Sequence, residues 1–240
     1  MTLADKTVLV TGANRGIGRA LVDEALKRGA RRIFAGTRQP FVHPDRRVTP
    51  LTLDVTDENQ VQRAVERVES LDILINNAGL DAYADLGDRA TLQRLLSTNF
   101  FGPYNVTLAF LPLLTRSGGV IVNHLSMAAL APVPFSPLYS ISKAAAFSLT
   151  QSLRAHLSGR GVSVHAVLTG PVDTDMTRAL DIPKSTPESV ATGILDGVEK
   201  GEEDIFPDRM SVSVAESWRA GVTKALERQF ASLPAGNPAR

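Results

Sequence analysis

The feature that most constrains this chain is TGANRGIG, residues 11–18, placed directly after the apolar run TVLV. The residues that follow it repeat at helical spacing: Ile17, Leu21 and Ala25 form one stripe, widened by Val22 and Leu26. Gly29 stands where a helix ends on a residue free to adopt positive φ. A short strand, a turn with glycines at 12, 16 and 18, and an amphipathic helix make the opening of a βαβ unit. A tight turn with close backbone approach to a pyrophosphate needs residues without Cβ, and the helix start supplies unpaired N–H groups for the phosphates.

The rest of the chain continues the alternation. Strand-like runs recur at 32–37, 48–53, 72–77, 118–126 and 162–168, with a polar helix at 57–70 and a long one from Pro137 to about Ser158. This alternation predicts parallel strands joined by crossover helices, an α/β fold of the doubly wound Rossmann type with three αβα layers. No internal repeat interrupts it, so a single domain over residues 1–240 is expected, ending in a flexible tail at 232–240.

Charge and composition narrow the function classes. Lysine and arginine number 26 against 25 acidic residues, a net charge of +1, which disfavours nucleic acid or an anionic membrane as the main partner. Cysteine is absent, and the histidines at 43, 124, 156 and 165 lack metal-ligand spacing, so neither a thiolate site nor a zinc site is expected. No targeting peptide precedes the first strand and no apolar stretch reaches membrane-spanning length, so a cytoplasmic protein is expected.

Taken together, the motifs resemble the short-chain dehydrogenase/reductase family over about residues 6–208. TGANRGIG is similar to the family's TGxxxGxG cofactor turn, which brings in Gly12, Asn14, Arg15, Gly16, Ile17 and Gly18. LDVTD (53–57) puts Asp54 and Val55 at the adenine position, and NNAG (76–79) puts Asn76, Ala78 and Gly79 beside the central sheet and the adenosine ribose. Asn99 in NFFG, Ser126, and Tyr139 with Lys143 in YSISK resemble the family's catalytic four, with serine and tyrosine thirteen positions apart. The resemblance implies the strand order 3-2-1-4-5-6-7.

It also implies a chemistry. Tyr139 and Lys143 are four apart, hence on one helix face. The ammonium is expected to lower the phenol's pKa from about 10 and to bond the nicotinamide ribose. Ser126 would hold the substrate oxygen, and Asn99 a water linking Lys143 to solvent. Val172 and Thr174 in TGPVDT match the residues that meet the nicotinamide carboxamide, although Thr169 stands where the family often has proline. His124, two residues before Ser126, is expected to be a hydrogen-bonded structural histidine.

Three further expectations follow. The strand tip IFAGTRQP carries Thr37 and Arg38 but no acid; with Arg15, this predicts NADP(H) rather than NAD as cofactor. The segment 175–187 is expected to be a substrate lid, facing MAALAPVPF (127–135). Helical segments 99–114 and 143–153 are apolar on more than one face, which predicts a homotetramer or homodimer; the alternative is burial inside one subunit beneath a C-terminal helix at about 211–230. The implied activity is an NADPH-dependent carbonyl reductase on a small carbonyl or alcohol; a non-catalytic NADP-binding sensor is the alternative on the same fold.

Overall fold

Strand by strand, successive side chains alternate between two separate apolar layers, which is why the chain builds helices on both sides of one sheet. In β1 (Thr7–Thr11), Val8 and Val10 face one layer while Leu9 faces the other. The same alternation recurs in β2 (Arg32–Thr37), β4 (Ile73–Asn76) and β5 (Val120–His124). The computed structural model describes residues 1–39 and 41–231. Pro40 and the tail 232–240, where a flexible end was expected, lie outside the described residues.

With β3 (Val48–Thr52), β6 (Ser163–Val167) and β7 (Asp204–Ile205), the strands form one seven-stranded sheet in the order β3-β2-β1-β4-β5-β6-β7. Every pairing is parallel. This is the doubly wound fold expected from the alternation. The chain direction reverses between β1 and β4, which opens a crevice beyond their carboxyl ends.

On one face, α1 (Gly16–Lys27) and α6 (Pro187–Lys200) pack Leu21, Val22, Ile194 and Leu195 against Val8, Val10 and Ile75. On the other, α2 (Glu58–Arg67), α4 (Gly102–Ser117) and α5 (Pro137–Leu157) cover Leu9, Leu74 and Ile121 with Val61, Phe110 and Leu153. Between β4 and α4, the short α3 (Arg89–Leu96) runs into a wide π turn at Ser97–Phe101.

The C-terminal part departs from the expected single helix at 211–230. It breaks at Gly221 into α7 (Arg209–Arg219) and α8 (Val222–Ala231). β7 is only two residues long, and Asp208 beyond it caps α7, accepting from the N–H groups of Met210 and Ser211. Phe147 of α5 packs on Trp218 of α7 at 5.7 Å between ring centroids. One side of α5 is therefore covered within the chain.

Candidate functional site

All the candidate residues collect at the carboxyl edge of the sheet. The glycine turn leaves β1 there, held to β2 by the Ala13 N–H to Gly36 carbonyl bond of 3.2 Å. Gly12 and Gly16 have positive φ of 66° and 52°. Gly18 is excluded from carrying a side chain for another reason: its Cβ would stand 2.1 Å from the Gly12 carbonyl oxygen. The start of α1 carries no side-chain cap, so its first N–H groups point into the cradle these glycines leave open. That cradle fits a pyrophosphate.

Asn77, which sequence reasoning passed over within NNAG, ties this turn to the neighbouring strands. Its amide nitrogen donates to the carbonyls of Thr11 (2.9 Å) and Gly12 (3.3 Å). Its Oδ1 must then be the acceptor for His124 Nδ1 at 2.9 Å, which makes Nδ1 the protonated ring nitrogen. His124 Nε2 in turn faces the Thr169 hydroxyl at 3.2 Å. So Thr169, the departure from the family's proline, has a partner, and three loops are joined through one imidazole. Burial and the Lys143 charge push His124 down to about 3, so the ring is neutral. Gly170 is secured as well, its N–H donating to Asp208 at 2.8 Å.

Asn76 turns the other way. Its side chain is buried and donates to Thr107 (3.0 Å) and Asn123 (2.9 Å), between α4 and β5. Held there, the buried carboxamide is not free to make the expected ribose contact. Ala78 and Asn77 donate their N–H groups to the Thr11 hydroxyl, each at 3.0 Å, and this sets the path of Gly79. Asp54 accepts from the Thr56 N–H and hydroxyl, while Val55 is buried against Gly102.

At the tip of β2, Thr37 is buried and donates to the Gln39 carbonyl at 2.6 Å. Arg38 is exposed and has no hydrogen bond or ion pair among the described residues. Arg15 is engaged elsewhere, its Nη1 2.9 Å from Asp175 Oδ2. Thr174 abuts the turn, with Cγ2 3.2 Å from where a Gly16 Cβ would be. Val172 is buried and bridges to Ser185, which pins both ends of the segment expected to be a lid.

Beyond β5, Ser126 lies two residues past the strand end rather than in it. It caps a short 3₁₀ turn at Met127–Ala129, accepting from the Ala128 N–H at 3.1 Å. Its own O–H is left to donate. Tyr139 sits in the first turn of α5 with Lys143 one turn on, Nζ lying 5.6 Å from the phenol ring centroid. Lys143 is buried, and Nζ donates to the His124 carbonyl at 3.0 Å, which aims the ammonium along the strand end.

Two expectations about this group change. Burial, the largest cause, pushes the Tyr139 phenol well above its ordinary 10.0; contact with Ser126 pulls the other way, and the Asp81 carboxylate adds to the rise. A lowered phenol pKa is therefore not what these surroundings produce, because desolvation outweighs the hydrogen bond from Ser126. Burial also pushes Lys143 down to about 8, with Asp81 opposing. Asn99, in the π turn, has both amide hydrogens and one lone pair of its carboxamide in use. It accepts from the Leu80 N–H and donates to the Leu80 carbonyl, both at 2.8 Å, and donates to Ser142 at 2.9 Å. A relay water is left the main chain of that wide turn and the second lone pair of Oδ1.

Asp81 and Ser142 are further members that single-residue reading missed. Ser142 Oγ accepts from Asn99 and donates to the Tyr139 carbonyl at 2.7 Å. It joins the π turn to α5, a link between residues with no shared motif.

Known proteins share the sequence and fold of this chain. Residues 6–184 match the family profile described as short chain dehydrogenase. A short-chain dehydrogenase of Penicillium crustosum is 37% identical over 181 residues, 70% of this chain. A ketoacyl reductase, HetN, of a Nostoc species is 30% identical over 234 residues, covering 88% of this chain and 82% of its own. The chain spans about two thirds of the Penicillium protein, 66% of its length. A solved short chain dehydrogenase from Burkholderia cenocepacia, in complex with NADP, superposes with a TM-score of 0.87 at 34% identity, covering 98% of this chain and all of that one. With the glycine cradle, the parallel sheet and the Ser126–Tyr139–Lys143 group in one crevice, these matches show that the chain belongs to the short-chain dehydrogenase family.

Proposed function

We propose that this protein is an NADP(H)-dependent oxidoreductase, a carbonyl reductase that acts on a ketone, an aldehyde or the corresponding alcohol. The observation that carries the reading is the placement of Ser126, Tyr139 and Lys143 beside the uncapped glycine cradle, at the switch point of the sheet. A bound nicotinamide supplies or accepts the hydride. The chain's own residues do the rest. Gly12, Asn14, Arg15, Gly16, Ile17 and Gly18 seat the diphosphate, and Asp54, Val55, Asn76, Ala78 and Gly79 border the adenosine half. Val172 and Thr174 border the nicotinamide.

At the reacting oxygen, the Ser126 O–H, which lies against Tyr139, donates and Tyr139 transfers its proton. The raised phenol pKa keeps that proton in place at neutral pH, as reduction requires. Lys143 has one ammonium proton on His124, which leaves two for the ribose hydroxyls and for charge stabilisation as the phenolate forms. The main chain around Asn99 offers the proton path to solvent.

Preference for NADP(H) is supported by Thr37 standing where an acid would repel a 2′-phosphate, and by the exposed guanidinium of Arg38. The Burkholderia relative was solved with NADP. Assembly as a homotetramer or homodimer is supported by Phe101, Tyr104 and Leu108, exposed along one line of the π turn and α4, and by exposed Ile141 on α5. No described helix is long and apolar enough to cross a membrane; cytoplasmic placement belongs to this proposal.

The test is NADPH and NADH consumption across a panel of ketones, aldehydes and quinones. Turnover with NADPH on at least one class supports the enzyme. Tight NADPH binding with no turnover on any class favours the sensor reading.

A further inference from the structure

We propose that Asp81 selects the substrate, and that the pocket takes a carbonyl or alcohol bearing a positively charged amine, seated on this carboxylate between Tyr83 and Phe135. The inference rests on the oxidoreductase reading above and deepens it.

Asp81 enters the site by a short route. A Cβ on Gly79 would lie 3.7 Å from Lys143 Nζ and 3.6 Å from Asn99 Oδ1, so the chain passes close to both just before it reaches Asp81. The carboxylate then meets α5. Its Oδ1 accepts from the hydroxyl of Ser136 at 2.9 Å and from the Ala82 N–H at 2.8 Å. Ser136 is buried and stands three residues before Tyr139, so the tie brings Asp81 to the turn that carries the phenol.

Both bonds use the same oxygen. Among the described residues Oδ2 accepts no hydrogen bond, and no lysine or arginine forms an ion pair with Asp81. A tie between loops needs one oxygen and no charge; an asparagine or serine would do it. A carboxylate with its second oxygen open beside the reacting group calls for a positive charge. Its charge is felt in the site: burial raises Tyr139 and Tyr83 and Asp81 adds to both, while burial lowers Lys143 and Asp81 opposes.

The aromatic pair supplies the second half. Tyr83, two residues past Asp81, meets Phe135, the neighbour of Ser136, at 6.2 Å between centroids with planes tilted by 33°. Each ring is more than half exposed, at 52% and 56%. Two open aromatic faces beside a carboxylate match the recognition chemistry of ammonium groups. The same charge disfavours substrates that carry a carboxylate or phosphate.

The experiment uses two matched series of methyl ketones, one ending in a trimethylammonium group and one in its neutral tert-butyl isostere, with one to three methylenes between. With NADPH, wild type is expected to favour the cationic member by about 10-fold in kcat/KM at one spacing, the scale of a charged contact joined to a cation–π contact. Asp81→Asn should collapse that ratio to below about 2-fold, and Tyr83→Leu should reduce it in part. Ser136→Ala removes the tie but keeps the charge, and should retain most of the preference. Because the ratio compares two ketones in one variant, changes in proton transfer cancel. Thermal denaturation checks that each variant folds.

Calorimetric titration of the trimethylammonium alcohols into the NADPH complex reads the same selection without turnover. Cation preference in binding, lost in Asp81→Asn, upholds the inference even if no ketone reacts, and the oxidoreductase reading alone then fails. Turnover with equal ratios in wild type and Asp81→Asn overturns the inference and leaves that reading standing.

Discussion

Asp175 holds two arginines: its Oδ2 lies 2.9 Å from Arg15 Nη1, and its Oδ1 accepts from Arg178. The glycine turn is thereby joined to the first residue after Thr174, across the groove proposed for the diphosphate. Arg15 would have to share its guanidinium between Asp175 and a 2′-phosphate. The pair is exposed, 66% and 48%, so it is weak enough to be exchanged.

A graded result for cofactor binding follows. Asp175→Asn should tighten NADPH binding by up to ~5-fold, since an exposed ion pair is worth at most about 1 kcal/mol. Arg38 has no competing partner among the described residues, so Arg38→Ala should weaken NADPH by at least ~10-fold and leave NADH nearly unchanged. Titrations at one salt concentration read both. Looser NADPH binding in Asp175→Asn would show that the contact positions Arg15 rather than competing for it.

Burial of Lys143 and His124 sets the pH dependence of stability. Lys143 titrates near 8 in the fold and at 10.5 when exposed. Between those values the unfolded chain binds the extra proton, so the stability contribution rises with pH across that window, by about 3 kcal/mol in full. His124 is lowered from 6.5 to about 3, so its contribution is lost as pH falls between these two values. Denaturant unfolding of the free protein from pH 5 to 10 checks this. In Lys143→Met the alkaline rise should vanish while the acid loss stays.

The C-terminal helix is held by a buried cation. Lys224, 2% exposed, lies 2.9 Å from each of Glu203, Asp204 and Glu227. Burial alone would push Lys224 down, yet its bonds to these carboxylates raise it; Asp204, also desolvated, is lowered by Arg154, Trp218 and Lys224. Lys224→Met leaves Asp204 and Glu227 facing each other with Arg154 alone, and should cost about 3 kcal/mol. Thermal or denaturant unfolding measures it. Because Asp204 is lowered, its share is lost as pH falls through its folded value. Because Lys224 is raised, its share is lost as pH climbs past its own.

How far the sequence could be read follows from the range of each interaction. The glycine turn was legible because positive φ at Gly12 and Gly16 and the missing room at Gly18 are local demands. The parallel sheet followed from the alternation of strands and helices, and its order from the family resemblance. The Tyr139–Lys143 face is a matter of helical spacing. What stayed hidden joins distant loops: Ser136 to Asp81, fifty-five residues apart, and Arg15 to Asp175, one hundred and sixty apart. The bonds that join Asn99 to Leu80 and Ser142 are of the same kind, set by the fold and not by any motif. The direction of the Tyr139 shift depends on burial, which no spacing reports. The break at Gly221 was missed because the apolar residues on either side keep a helical rhythm.

The central claim is that Tyr139 gives its proton to the substrate oxygen, with Lys143 and Ser126 supporting it. The direct measurement is single-turnover oxidation of bound NADPH by a ketone that wild type reduces, followed in wild type and Tyr139→Phe, with NADPH affinity measured in parallel. The account predicts that the phenylalanine variant binds NADPH as wild type does and transfers hydride at least ~100-fold more slowly. A rate within a few-fold of wild type would contradict it.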